Sequence, residues 1–340
     1  MSTKIILSFF AIACILFLCN CKDIPAQKQA EVKTEVNEKA FKANNKKIDE
    51  LNADYSLIPD DKILENGDKD SLYYELKERY RSDAARLKQM VDASGAKLLF
   101  IGLAPEVGNN QLNVKYGMPY IRSVCQQLGI EFIDLAPSIA PNLKEITQWP
   151  NDGHWSKKGA VFIAGQLAPL IKKYSAVSST VVYKDGERTE TFGDLAPNTD
   201  EVVETEKNIT YHVKANAQGV RMDKNIEYPK TTKHVLFMGD EGIFCPLLDN
   251  EFTITGILQQ QFPGMLMLNT GAVGHTLEDQ VSLWSEKAKY SQPDIVIIQT
   301  NGSDITDYYF TQRNHYSRSH KPFYPTASEE KFYKTHYHNN

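Results

Sequence analysis

Five short, continuous apolar runs constrain the fold of this chain more than any other feature. They cover residues 97–103, 130–133, 234–238, 265–268 and 294–299. Segments with helical spacing of apolar residues separate them, at about 72–91, 116–128, 158–174, up to 261, and 277–289. Apolar runs of this length are typical of strands buried on both faces, and strands that alternate with helices form parallel sheets. The pattern predicts a three-layer α/β/α sandwich of the flavodoxin-like kind, with a five-stranded parallel sheet.

The first 21 residues differ in kind from the rest of the chain. Lys4 supplies a positive charge, and residues 5–18 contain no charged side chain. This run is short for a bilayer span but has the length of the apolar region of a signal peptide. It ends in Leu18-Cys19-Asn20-Cys21, which resembles a bacterial lipobox with Cys21 as the acylated residue, although Asn20 stands where a smaller residue is usual. We therefore expect export and a lipid anchor in the bacterial cell envelope; an uncleaved signal or a plain anchor helix is the alternative.

The remaining sequence divides by composition. We expect residues 22–60 to be a flexible tether because they are rich in Lys, Glu, Asn, Gln and Ala. Residues 61–175 and 231–340 carry the strand and helix patterns, and 176–230 is a connector with a hairpin, including strand-like pieces at 180–183 and 211–213. The formal net charge of −5 and a pI near 5.9 argue against a nucleic-acid partner. After Cys21 only Cys125 and Cys245 remain, which do not make a disulfide framework.

Polar segments follow four of the predicted strands, where ligands of a doubly wound sheet bind. They are Gly-Asp-Glu-Gly at 239–242, Asn-Thr-Gly-Ala-Val-Gly at 269–274, Thr-Asn-Gly-Ser-Asp at 300–304, and Asn-Asp-Gly-His-Trp at 151–155. Each segment alone is weak, because turns after strands are commonly built from Gly, Asn and Asp. Together they indicate a ligand site more strongly, because all four lie at the same end of the predicted sheet.

These four segments resemble the sequence blocks of the SGNH, or GDSL-type, esterases and O-acetyltransferases. The Asp-x-His-Trp form is closest to the alginate O-acetyltransferase-like branch, and the resemblance covers about residues 70–320. It implies acyl chemistry on carbohydrate, without cofactor or metal, in which His154 is the base and Asp152 orients it. Gly274 and Ser303 would be the oxyanion donors, and Glu241 stands at the position of the nucleophilic serine.

The order of the blocks departs from the family, because the Asp-His block precedes the other three. A circular permutation accounts for this order, with residues 61–175 as the C-terminal half of the domain and 231–340 as its N-terminal half plus a tail. The connector 176–230 would then be the new covalent link. The alternative is that each half is completed by another chain.

The glutamate at position 241 argues against ordinary acyl transfer. A carboxylate beside the oxyanion site opposes the charge that must develop there, so we expect it to pair with His154 and favour the protonated ring. The resemblance then implies a catalytically impaired member of the family. One alternative is a non-catalytic module that binds a glycan or a protein of the cell envelope. Another is an active enzyme whose partner chain supplies the missing serine.

The same interpretation predicts the partners of the protein and the roles of several Trp and His residues. We expect an acylated carbohydrate or envelope glycan as ligand, the membrane through the lipid anchor, and a protein partner as an option. Trp149 and Trp155 flank the Asp-His loop and are expected to pack against it, with stacking on a sugar ring as the alternative. His275 follows Gly274 and would lie near the same pocket, where we expect a loop histidine without a role. The histidines beyond residue 314 match no compact metal-binding pattern.

Overall fold

A parallel five-stranded sheet forms the centre of the protein. The structure is a computed structural model and describes residues 71–103, 107–108, 111–112, 117–149, 153–205, 208–302, 304–305 and 308. The sheet strands are β1 (Lys97–Gly102), β4 (Glu131–Asp134), β7 (Lys233–Met238), β8 (Met265–Asn269) and β9 (Ile295–Thr300). Their order is β4-β1-β9-β7-β8, and every neighbouring pair is parallel. The predicted fold class and all five predicted strands are confirmed.

Helices cover both faces of this sheet, which completes the three layers. The helices are α1 (Ser71–Ala93), α2 (Gly117–Leu128), α3 (Ala136–Ile139), α4 (Leu143–Ile146), α5 (Lys157–Tyr174), α6 (Glu241–Phe244), α7 (Ile254–Gln261) and α8 (Leu277–Glu286). α5 packs against α7 on one face, while α1 packs with α2 and α8 on the other. Apolar side chains of the sheet are buried on both faces, as the continuous runs predict. In the described part of the chain, no helix is both long and apolar enough to cross a membrane.

Two small antiparallel hairpins lie outside the main sheet. Strands β2 (Val107–Gly108) and β3 (Gln111–Leu112) form the first, and β5 (Asp200–Glu204) pairs with β6 (Thr210–Lys214) in the second. The strand predicted at 180–183 is wrong: this segment forms no ladder, and Thr180 instead donates its N–H to Ser94 O. β-Branched residues favour a strand only where a partner strand is available.

Both ends of the connector form hydrogen bonds with one buried carboxylate, that of Asp294. Asp294 precedes β9, and its Oδ1 accepts the N–H of Ser179 at 2.9 Å. Its Oδ2 accepts from Lys230 Nζ at 2.6 Å and from the N–H of His234 at 2.9 Å. The connector therefore leaves the first half and enters the second at the same corner of the sheet.

The free edge of β8 is closed by a side chain. Gln259 on α7 donates its Nε2 to Met265 O at 2.8 Å, and its Oε1 accepts the N–H of Met267 at 3.1 Å. These are the two backbone groups that a sixth parallel strand would pair with. The amide of Gln259 thus occupies the place of a peptide group and protects the edge.

Candidate functional site

Polar side chains converge where β7 and β9 end. Asp240 follows β7 and Asn301 follows β9, and the Nδ2 of Asn301 donates to Asp240 Oδ2 at 2.7 Å. Both side chains are buried. Since β7 continues to β8 on one side and β9 adjoins β1 on the other, these two strands flank the point where the strand order reverses. That is the place where doubly wound sheets bind their ligands.

Glu241 begins the short helix α6 at this point. Asp240 caps the helix, because its Oδ1 accepts the N–H of Gly242 at 2.7 Å. The N–H of Gly274 points at the Glu241 carboxylate, with 3.5 Å between the nitrogen and Oε2. Gly274 has a φ of 77°, a left-handed conformation that favours glycine. The backbone donor implied by the resemblance therefore lies beside a carboxylate rather than a hydroxyl.

The loop that carries His154 is tied to the same turn. The indole Nε1 of Trp155 donates to Gly242 O at 3.1 Å, and His154 O accepts the N–H of Gln148 at 2.8 Å. His154 is half-buried. The side chain of Trp155, the residue after His154, thus contacts the turn that carries Glu241. The expected ion pair between these two side chains is not formed: among the described residues, the carboxylate of Glu241 takes only the N–H of Gly274.

Among the described residues, the carboxyl groups of Asp240, Glu241 and Asp304 lie close together at this end of the sheet. Burial raises the pKa of Asp240 well above its usual range, and repulsion from Glu241 and Asp304 raises it further. Burial also raises the pKa of Asp304 to about 7, although the hydrogen bonds from Thr300 and Asn301 act to lower it. The described ion pairs include none of the three carboxylates. Negative charge is therefore costly here, which opposes the further negative charge of an oxyanion.

Sequence reasoning missed the residues that hold the loop after β9. Asp304 accepts from the Thr300 hydroxyl and, through Oδ1, from the N–H of Asn301 at 3.2 Å. The hydroxyl of Tyr80 on α1 lies 3.0 Å from Thr300 Oγ1, so hydrogen bonds run from α1 to Asp240. Asn301 follows a predicted strand and could have been found in the sequence, but the family resemblance assigned the donor role to Ser303 instead.

Several predicted residues fall outside the described part of the chain. These are Cys21, Asp152, Ser303 and the histidines beyond residue 314. Trp155 is almost fully buried, which agrees with packing against the loop and removes it as a stacking platform. Trp149 is partly buried against the apolar cluster beneath the β5–β6 hairpin. Within the described residues, no group of three or more His, Cys, Asp and Glu side chains could hold a metal ion.

Residues of the connector also pack against the loops that form this site. Asp194 is buried and lies 3.6 Å from the Nε2 of His275, the residue after Gly274, and 2.9 Å from Lys287 Nζ. Arg221 is buried as well and donates to the carbonyls of Phe244, Cys245 and Leu248. The segment beyond α6 needs such support, because Cys245 and Leu247 adopt positive φ without being glycine. Sequence reasoning gave this connector only a linking role.

No protein-family model and no curated protein sequence matches the chain. Its fold is similar to that of the O-acetyltransferase domain of Pseudomonas putida AlgJ, with 12% identity, coverage of 71% of this chain and 91% of that chain, and a TM-score of 0.42. Pseudomonas aeruginosa AlgX is similar at 15% identity, with 69% and 59% coverage and a TM-score of 0.38. Bacillus cereus PatB1 with a sulfonyl adduct is similar at 13% identity, with 68% and 91% coverage and a TM-score of 0.36. Similarity at this level concerns the fold alone.

Proposed function

We propose that this protein is an exported, lipid-anchored SGNH-type domain, related to carbohydrate O-acyl esterases and O-acetyltransferases, in which acyl transfer is impaired. The observation that carries the proposal is the 3.5 Å approach of the Gly274 N–H to the carboxylate of Glu241. An oxyanion donor must face a site that is vacant in the ground state and fills with charge in the transition state. A carboxylate already in that place removes both the nucleophile and the free donor.

The strand order supports the permuted arrangement that the proposal includes. When the strands are counted from β7, through β8 and β9, to β1 and β4, the sheet order β8-β7-β9-β1-β4 becomes 2-1-3-4-5. This is the order of flavodoxin-like sheets. The fastening of Ser179 and Lys230 to the same Asp294 supports the connector as the covalent link between the halves.

Hydrolysis of p-nitrophenyl acetate by the purified full chain tests the impairment. We expect no turnover above background for the wild type and for Glu241→Gln, which removes the charge but adds no nucleophile. Glu241→Ser restores the hydroxyl and should hydrolyse the ester. Adding His154→Ala to Glu241→Ser should lower the rate by about 10²- to 10⁴-fold, the usual contribution of a general base.

The matched control is His212→Ala in the Glu241→Ser chain. His212 lies on β6 between the buried Tyr211 and Val213, on the opposite face of the hairpin, and pairs with Asp200. Its loss should leave the restored rate unchanged. Turnover by the wild type that disappears with His154→Ala would instead identify an active enzyme and overturn the proposal.

A second candidate function is binding of an acylated glycan without turnover. It is favoured by the buried hydrogen bonds that still hold the site, from Asn301 to Asp240 and from Trp155 to Gly242. Calorimetry with an O-acetylated oligosaccharide and its deacetylated form tests it. A preference of the wild type for the acetylated form supports binding, and equal affinities contradict it.

The anchor is a separate part of the proposal. It rests on the apolar run that ends at Cys21. Mass spectrometry of the mature N-terminus should find acylated Cys21, and an unmodified or uncleaved N-terminus would remove the lipoprotein assignment.

A further inference from the structure

An open cavity lined mostly by polar residues lies at the opposite end of the sheet from the site described above. Its volume is about 410 Å³, within the range of about 300 to 1,000 Å³ that small-molecule sites occupy. It is lined by Lys224, Asn225, Glu227, Thr231, Thr232 and His234. His234 is the second residue of β7, whereas Asp240 follows that strand. At about 3.3 Å per residue, the cavity is about 20 Å from the strand-end site.

His234 offers this cavity a hydrogen-bond acceptor. Its ring is almost fully buried, and its Nδ1 lies 2.6 Å from the carbonyl oxygen of Ser291. Because a carbonyl only accepts, Nδ1 carries the hydrogen and Nε2 has the lone pair. Burial lowers the pKa of His234 to about 4, so the ring is neutral near pH 7. Within the described residues Nε2 has no hydrogen-bond partner, and it therefore remains an acceptor for a bound donor.

The other lining groups supply both donors and acceptors. Lys224 has an ammonium group, Glu227 a carboxylate, and Thr231 and Thr232 have hydroxyls that donate and accept. None of these four side chains is hydrogen-bonded or ion-paired within the described part of the chain. One positive and one negative charge balance each other, so the lining favours a neutral ligand over a strongly charged one.

The apolar part of the lining narrows the ligand class further. Leu266 on β8 pairs in register with His234 and lines the same cavity. It can contact the C–H face of a ring whose hydroxyls meet the polar groups around it. No Phe, Tyr or Trp is among the described residues that line the cavity, so Leu266 is the side chain that offers the ring an apolar contact.

We propose that this cavity is a binding site for one neutral pyranose unit of a glycan. A hydroxyl-rich ring matches a lining that mixes donors, acceptors and one apolar side chain. A second cavity of about 160 Å³ shares Lys224 with the first and is lined by Met267 further along β8. The pair of cavities gives an oligosaccharide room to extend along this edge of the sheet. The site is independent of the acyl chemistry proposed for the strand ends.

Saturation-transfer NMR on the purified full chain tests the site. The chain is kept in a zwitterionic detergent, because a sugar-headed detergent would compete. The probes are glucose, galactose, mannose and N-acetylglucosamine, together with the tetramer of N-acetylglucosamine. We expect transfer to at least one monosaccharide. Tighter binding of the tetramer would assign the ligand to a polysaccharide, and equal binding would assign it to a free sugar.

Variants locate the binding. Thr231→Val combined with Thr232→Val removes two exposed hydroxyls and should weaken the best probe by about tenfold. Thr210→Val, an exposed threonine on β6, is the matched control and should bind as the wild type does. His234→Phe should also lose binding, and its thermal unfolding separates that loss from misfolding.

Three outcomes would overturn the proposal. They are no transfer to any of the probes, unchanged affinity in the double threonine variant, and loss of binding in Glu241→Gln. The last outcome would place the sugar at the strand-end site instead. The ester-hydrolysis assay is unaffected by these outcomes, so failure here and failure of the proposed function are distinguishable.

Discussion

At the scale of single residues, the burial of Asp304 makes the stability of the fold depend on pH. Its side chain is almost fully buried beneath the site, and burial raises its pKa from 3.8 to about 7. Between these two pH values the folded chain holds a proton that the unfolded chain has lost. The contribution of this group to stability is therefore complete below about pH 4 and is lost as the pH rises through about 7.

We predict that Asp304→Asn makes stability less dependent on pH. The neutral amide can still accept from the N–H of Asn301 and donate to Thr300 Oγ1. Urea unfolding at pH 5 and pH 8 should show a smaller loss of unfolding free energy in the variant than in the wild type, by at most about 3 kcal/mol. Asp304→Asn also removes one of the repulsions that raise the pKa of Asp240, so both effects reduce the loss of stability in the variant. Equal losses in the two chains would contradict the assignment of this proton to Asp304.

The residues of the site were predictable from the sequence only in part. Gly-Asp-Glu after β7 and the glycine at 274 were found because they follow apolar strands directly. Asn301, Asp304 and Tyr80 were not, because their role depends on which strands are neighbours. The order of parallel strands places residues side by side that are almost 200 positions apart, and no local pattern records it.

At the scale of elements, continuous apolar runs predicted the strands well, since buried parallel strands have no polar face. Irregular stretches were predicted less well. The helix expected to run up to residue 261 is two helices, α6 and α7, interrupted by the left-handed Cys245 and Leu247. The first strand of the second hairpin was predicted at 180–183, whereas it is β5, about 20 residues later. In both cases long-range contacts of the connector decide the backbone, and these are invisible in a short window of sequence.

We predict that the β8 edge depends on Gln259. Gln259→Leu leaves Met265 O and the N–H of Met267 without their partner, which should cost about 1–3 kcal/mol of unfolding free energy. It should also raise light scattering, because an open strand edge pairs with other chains. The control is Gln260→Leu, because the exposed side chain of Gln260 donates to Glu251 O and, within the described residues, makes no other hydrogen bond. Equal stability and scattering of the two variants would refute this role.

At the scale of the whole molecule, Asp294 joins the connector to both halves. We predict that Asp294→Asn costs about 3–5 kcal/mol, because it leaves the largely buried Lys230 without its counter-charge. Adding Lys230→Met removes that charge and should restore part of the stability. Urea unfolding of the wild type, both single variants and the double variant measures the coupling. Additive effects would show that the pair does not act as a unit.

The interleaving of the two halves has a consequence for how the chain could be divided. β9 from the second half lies between β1 and β7, α5 packs on α7, and α1 packs on α8, so every layer is shared. The turn at 184–187 of the connector is exposed and carries none of these contacts. A single cut there would leave two fragments held together by the sheet itself. Because neither half contains a complete layer, we expect the two fragments to fold only together, which makes them candidates for a split-protein reporter.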